Sequence, residues 1–333
     1  QPAYRHIPCA SSFYRILRRV DVEALEEAVA AYGQAVEQKM REDAPDSLRE
    51  SRGWCGVAVD GKEVRGAAKH GPPVRLVSLV SHGSGCVLGQ RRVTDKAYEP
   101  YALAQWLQGR DLSGMVLTAD AAYTYADTAQ EVLDQHGDYF LMVKKNQPQL
   151  YEDIAFLFAH RPLPGERRWE TTSHNKGHGR IETRQVVSSE ELNDYLHWPT
   201  VGQVVQRTCT RTQVKTGETQ QETQYAITSL LHARASASEL AQLWRGQWTI
   251  ENRSHHVRDE TMGEDHGQIA RGNGPQALAA LRNVVLTALR GRGWESIAEA
   301  LRYHDASVVH SFHLVTTPLD ASPLQDQPTF RRL

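Results

Sequence analysis

Apolar and polar positions along this 333-residue chain change rhythm several times. Residues 11–49 have helical spacing: Asp21 is a good N-cap, and Leu25, Ala28 and Val29 recur on one side. A charged break at 41–52, carrying Pro45, marks a candidate boundary. Strand-like runs follow. Residues 54–59 are almost continuously apolar and end in Asp60-Gly61-Lys62; 74–81 and 86–93 flank the turn-rich His82-Gly83-Ser84-Gly85. Residues 115–119 end at Asp120, and 139–143 lead into Lys144-Lys145-Asn146-Gln147. Between them, 99–107 reads as a helix with Pro100 in its first turn, and 126–135 as a second, closed by Gly137. The order β-β-β-α-β-α-β predicts an α/β fold, a mixed sheet with helices on its faces.

From 166 to 228 the residues alternate, Thr and β-branched types are frequent, and helix signals vanish. Segments 200–212 and 219–227 read as paired strands joined around Gly217, so this stretch is a mostly β insertion. Helices resume at Ser236, where Ser236-x-x-Glu239 makes a capping box. Another helix opens at Pro275 and ends near Gly291, and the tail beyond Asp305 is weakly patterned. The expected division is 1–50 helical, 51–165 first part of the α/β core, 166–235 β insertion, 236–305 helical remainder of the core, and 306–333 tail.

Asp60 and Asp120 each follow an apolar strand, the edge where open α/β sheets collect their sites. Each is also a common turn former or helix cap. Stepping by three or four from Leu240 gives Leu240, Trp244, Trp248, Glu251, His255 and Asp259 on one helical stripe. The stripe begins apolar and turns ionisable without leaving the face, and a buried carboxylate needs a partner or a metal. A helix emerging into solvent, with Glu251 paired to Arg258, is the alternative. Trp244 and Trp248 read as core.

Composition changes this picture little. The chain is 40% apolar and 23% charged, and no apolar run approaches the roughly 18 residues that would span a bilayer. Cys9, Cys55, Cys86 and Cys209 are scattered without zinc spacing, as in a cytosolic protein with reduced thiols. Residues 1–10 show no signal-peptide pattern. The net charge of −2 does not advertise a nucleic-acid partner, so local patches must carry that argument. Residues 144–184 hold eight Lys/Arg against five Asp/Glu. His178, Arg180, Glu182 and Arg184 share strand parity and would project from one face.

The run Val57-Ala58-Val59-Asp60-Gly61-Lys62-Glu63-Val64-Arg65-Gly66 resembles the first catalytic segment of the H-repeat-associated (ISAs-type) transposases of bacterial insertion sequences. Thr118-Ala119-Asp120-Ala121 resembles the second, and Trp248-x-Ile250-Glu251-Asn252-x-x-His255-His256-Val257-x-Asp259, followed by Glu264-Asp265, the third. The blocks Lys144–Tyr151, Gly177-His178-Gly179-Arg180, Arg271-Gly272-x-Gly274-Pro275 and Leu281-Arg282-Asn283 continue the likeness in order, from about Ser11 to Tyr303. Tyr125, where a Gln is usual, Met262 in place of a Phe, and His256 depart from the pattern without touching the three acidic residues, and the N-terminal segment looks shortened.

The resemblance implies an RNase H-like core with a β insertion before the last catalytic helix. It implies Asp60, Asp120 and Glu251 as a metal-binding triad using two Mg²⁺ ions, with Mn²⁺ as a substitute. His255, Asp259 and Asn252 would support the triad. Lys62, Arg65, Lys144, Lys145, His178, Arg180, Arg184 and Arg258 would contact double-stranded DNA. The partners implied are element ends and target DNA, bound by a homodimer in the bacterial cytoplasm at the nucleoid, with no membrane. Two other readings share these residues: a catalytically silent DNA-binding protein of transposase descent, and an RNase H-like nuclease without strand transfer. A metal hydrolase acting on something other than nucleic acid explains the carboxylates but not the basic blocks.

Overall fold

The computed structural model describes residues 9–43, 53–69 and 71–317. Most of the 41–52 break and the end of the tail therefore lie outside the described residues. The strands are β1 Cys55–Glu63, β2 Arg75–Ser81, β3 Val87–Val93, β4 Met115–Ala119, β5 Asp138–Val143, β6 Arg168–Gly177, β7 Arg180–Ser189, β8 Gln203–Gln213 and β9 Thr219–Thr228. Their hydrogen-bonded order is β3-β2-β1-β4-β5-β9-β8-β7-β6. β1 and β4 are parallel, as are β4 and β5, while β2 pairs antiparallel with β3. This is the expected α/β class, an RNase H-like mixed sheet. The insertion forms no separate sheet: β9 pairs antiparallel with β5, and β8, β7 and β6 follow as a meander.

The chain divides into two compact units. One holds Gly53–Val59 and Ala97–Trp248. Its core gathers Trp54, Val116, Phe140, Val186, Val205, Ala226, Leu240 and Trp244, with Phe140 and Trp244 edge to face at 5.4 Å. The insertion strands thus share one core with β4, β5 and the helix Ala237–Gly246. That helix starts at the expected capping box of Ser236 and Glu239. The other unit holds Asp60–Lys96 and the chain from Thr249 onward, with the N-terminal helices Ala10–Leu17 and Val22–Glu42. Asp21 caps the second of these by accepting from the amide of Ala24. Two small apolar clusters hold this unit, one around Val64, Ala67, Val74, Leu76 and Ala279 and one around Leu286, Leu289, Trp294, Ile297 and Ala300.

Several expectations need correction. β1 does not stop before Asp60 but continues to Glu63, so Asp60 lies within the strand. The helix Pro148–Ala159, opened by its proline, stands where no helix was expected, and Val308–Thr316 forms another in the weakly patterned tail. The stripe from Leu240 to Asp259 is not one helix. It breaks at Gln247-Trp248 and resumes as a widened, π-helical stretch, Glu251–His255 and Val257–Thr261. The break rotates Trp248 out of the core to 58% exposure and turns Gln247 inward instead. Among the described residues no helix is long and apolar enough to cross a membrane.

Candidate metal centre and its supports

In the unit that carries Asp60 and Glu251, a strand and a helix run side by side. Side chains two apart on a strand face the same way and are separated by about 6.6 Å; one helical turn advances about 5.4 Å. Asp60 and Lys62 on β1 therefore match His255 and Asp259 on the helix as two successive rungs. On the first, His255 Nδ1 lies 3.6 Å from Asp60 Oδ2 and 3.4 Å from Glu251 Oε2. On the second, Lys62 Nζ donates to Asp259 Oδ1 and lies 3.9 Å from Glu264.

The first rung is a possible cation site. Asp60, Glu251 and His255 each offer one ligand atom, all within 4.8 Å of one another. His255 is buried, whereas the Glu251 side chain is half exposed, so the carboxylates open outward over an imidazole floor. His255, chiefly by hydrogen bonding, holds the Glu251 carboxyl below its usual range against the opposing effect of burial, and the charge of Lys62 acts in the same direction. A carboxylate kept ionised is the hard oxygen donor that Mg²⁺ or Mn²⁺ requires. The donor chemistry fits a divalent cation. Asn252 is exposed and adds no contact to this rung.

The second rung merges into a buried polar network. Arg258 donates to both oxygens of Glu264 at 2.8 Å, and to Asn283 and Gln90 at 3.3 and 3.4 Å. Arg282 reaches Glu264 at 3.5 Å. The segment Arg65–Ala68 packs against the same Glu264 loop. A Cβ on Gly66 would sit 2.4 Å from the Glu264 carbonyl oxygen, so only glycine permits that approach. The exposed Arg65 meets Asp265 at 3.7 Å. The co-occurrence of Asp60-Gly61-Lys62 with Glu264-Asp265 in the sequence therefore has a physical basis: each segment closes over the other.

Two expected DNA contacts are reassigned by this geometry. Lys62 and Arg258 are buried with carboxylates against them, not presented to solvent. The partner of Arg258 is Glu264, so it does not pair with Glu251.

Asp120 belongs to the other unit, immediately after β4. Within that unit Val59 pairs with Ala119, the last residue of β4. Asp120 accepts from the Ala122 amide at 3.2 Å as the cap of a one-turn helix, and Lys144 Nζ lies 3.4 Å from its carboxylate. The rest of the lysine-asparagine-glutamine block braces the same turn. Asn146 donates to the Ala121 carbonyl and Gln147 to the Thr124 carbonyl, both at 2.8 Å, while Thr124 donates to Met142 at 2.6 Å. Lys145 is exposed.

Sequence reasoning missed Gln247. Its buried amide donates to the Val59 carbonyl at 2.9 Å and its carbonyl accepts from the Thr118 hydroxyl. It thereby grips the residues just before Asp60 and Asp120. A polar residue between Trp244 and Trp248 was the available signal.

The insertion also departs from expectation. His178 (φ 50°) and Gly179 (φ 71°) are the two central residues of the β6–β7 turn, both left-handed as a type I′ hairpin requires. His178 is therefore off the strand and shares no parity with Arg180. Glu182 is buried between Arg184 and Arg211, the latter at 2.9 Å. Burial raises its carboxyl pKa, but the arginines outweigh burial and hold it below the usual range. Arg180 is exposed and Arg184 partly so.

Residues 52–288 match the family model described as "Transposase DDE domain". YncI of Escherichia coli O157:H7, which carries a transposase name, is 28% identical over 242 residues, covering 70% of this chain and 61% of its own length. The H repeat-associated YhhI of Escherichia coli K12, also named as a transposase, is 25% identical over 242 residues, covering 70% and 63%. A protein of Xanthobacter autotrophicus named for its position in the dhlA 3′ region is 31% identical over 206 residues, covering 60% and 65%. The chain thus spans less than two thirds of these relatives. The family match extends over well more than half of its residues, and the chain belongs to the transposase DDE domain family.

Proposed function

We propose that the chain is an active transposase, cutting and joining the DNA of an insertion sequence with Asp60, Asp120 and Glu251 as the groups that hold divalent cations. The observation that carries this reading is the convergence of Asp60, Glu251 and His255 on one point, with the Glu251 carboxyl kept ionised. Asp60, Asp120 and Glu251 would supply the carboxylate oxygens, and the cations would be two Mg²⁺ ions, with Mn²⁺ as a substitute. When bound, such ions supply Lewis acidity at the phosphorus and stabilise the leaving oxygen.

The chain's own groups do the positioning. His255 fixes the rotamers of Asp60 and Glu251 from below, and Lys62 with Asp259 registers the strand against the helix. Lys144, Asn146 and Gln147 hold the turn that presents Asp120. In cleavage, water attacks a phosphodiester and the 3′-oxygen leaves. In joining, that freed 3′-hydroxyl attacks a phosphodiester of the target, whose own 3′-oxygen leaves. No protein side chain becomes covalently attached. Arg65, Lys144, Lys145, His178, Arg180 and Arg184 are the remaining candidates for DNA contact, and pairing of two element ends calls for a dimer on DNA.

The test is incubation of the protein and an Asp120→Ala variant with supercoiled plasmid carrying the terminal repeats, in Mg²⁺, Mn²⁺ or EDTA, with sequencing of joined products. Metal-dependent nicking and joining, lost in the variant, is the expected result. Nicking without joining makes the protein a nuclease, and repeat binding without cleavage makes it a silent binder.

A further inference from the structure

The segment Arg271-Gly272-Asn273-Gly274-Pro275 takes no part in the metal centre, yet most of it has a packing reason. Gly272 has φ +58°, and a Cβ there would lie 2.9 Å from the Arg18 carbonyl oxygen. A Cβ on Gly274 would meet the Ile269 side chain at 2.6 Å. Asn273 donates to the Val20 carbonyl at 2.9 Å, and Pro275 opens the helix Gly274–Gly291. Arg271 alone has no such role: it is exposed, with no ion pair among the described residues.

Arg271 borders a cleft of about 420 Å³, and Arg92 on β3 borders the same cleft together with Gly71, Pro72, Gly272 and Asn273. No carboxylate lines it among the described residues. Five other arginines of this unit are neutralised by carboxylates. Arg65 meets Asp265, Arg75 meets Glu63, Arg91 meets Glu23, and Arg258 and Arg282 both meet Glu264. Arg91 and Arg92 are successive strand residues and face opposite ways, so the first finds Glu23 while the second faces the cleft. Two like charges around one open space repel each other unless an anion lies between them. Glycine backbone at the cleft wall leaves a tetrahedral anion room to approach.

We propose that the cleft between Arg92 and Arg271 binds a single phosphodiester of the DNA backbone, at a point separate from the metal-holding residues. The inference rests on the DNA-binding reading above and adds a contact to it. Guanidinium groups grip phosphate oxygens in pairs, and such contacts fix the register of a duplex without reading its sequence.

The measurement is fluorescence anisotropy of a labelled DNA duplex titrated with the full chain, across a salt series, for Arg92→Ala, Arg271→Ala and the double variant. One shared phosphate predicts that each single change weakens binding about tenfold. The double change should cost only about two- to threefold more, because both groups act on one anion. The slope of log affinity against log salt should fall by about one. Arg→Lys at both positions should restore part of the affinity. If the unaltered chain binds the duplex and the variants match it, the cleft assignment is overturned while the DNA reading stands. Multiplying effects with a slope change near two would mean two independent surface contacts and overturn the shared site. A chain that binds no duplex at all removes both readings together.

Discussion

Replacing Lys62 with methionine separates two roles that a lysine two residues from Asp60 could have. As a phosphate contact it would contribute to DNA affinity and little to folding. The structure instead leaves its side chain 6% exposed between Asp259 and Glu264. Removing one partner of a buried pair costs about 3–5 kcal/mol when the other is left fully uncompensated. Asp259 is 17% exposed, and Glu264 keeps Arg258 and Arg282, so the cost falls below that range, at about 2–3 kcal/mol. At about 2–4 °C per kcal/mol for a domain of this scale, Lys62→Met should lower Tm by about 5–10 °C. Lys62→Met with Asp259→Leu should recover most of that loss, since an apolar pair can replace a buried ion pair at little cost. Thermal denaturation and duplex binding across a salt series read both quantities on the same samples. An unchanged Tm, with DNA binding weakened and its salt slope reduced by about one, would refute the internal role.

Gly66→Ala forces a Cβ against the Glu264 carbonyl oxygen; a Tm loss at least as large as that of Lys62→Met is expected in the same melt. Asn146→Ala removes one brace from the Asp120 turn, a cost of about 1 kcal/mol; Tm should barely move, while hydrogen exchange at residues 122–125 quickens and plasmid nicking slows. Packing around His82 lowers its pKa from 6.5 to about 4. Below pH 6.5 the unfolded chain binds a proton that the folded chain refuses, so this group's contribution is complete above 6.5 and is lost as pH falls toward 4. His82→Gln should flatten the acid side of a Tm–pH curve within that window and leave the neutral side unchanged.

Where local rules govern, the sequence was a good guide. The helix Glu99–Leu107, the strand Met115–Ala119 and the capping box at Ser236 follow from period, proline placement and side-chain capping within a few residues. That Asp60 and Glu251 come together was legible through the resemblance combined with the stripe, not through the stripe alone. The failures share a cause in partners far along the chain. Lys62 finds Asp259 across 197 residues, so nothing near it signals burial. At the helix break Gln247 bonds to Val59, 188 residues away, and Trp248 is exposed. β1 extends past Asp60 through Gly61 and Lys62, polar residues that look like a turn until their neighbours are known.

The order in which the chain supplies the two units has a consequence for synthesis. Asp60 and its strand emerge early, but the helix bearing Glu251, His255 and Asp259 comes only after all of 97–248. At roughly 5–20 residues per second, Asp60 waits on the order of ten seconds or more for the residues that surround it. Meanwhile the Ala97–Trp248 segment, with its own core, can condense as it leaves the ribosome. A product stopped between the end of the insertion and Thr249 would carry Asp60 and Asp120 but neither Glu251 nor the acidic partners of Lys62. Such a fragment has the insertion's exposed basic residues but lacks both Glu251 and His255, two of the three groups that converge beside β1 in the full chain.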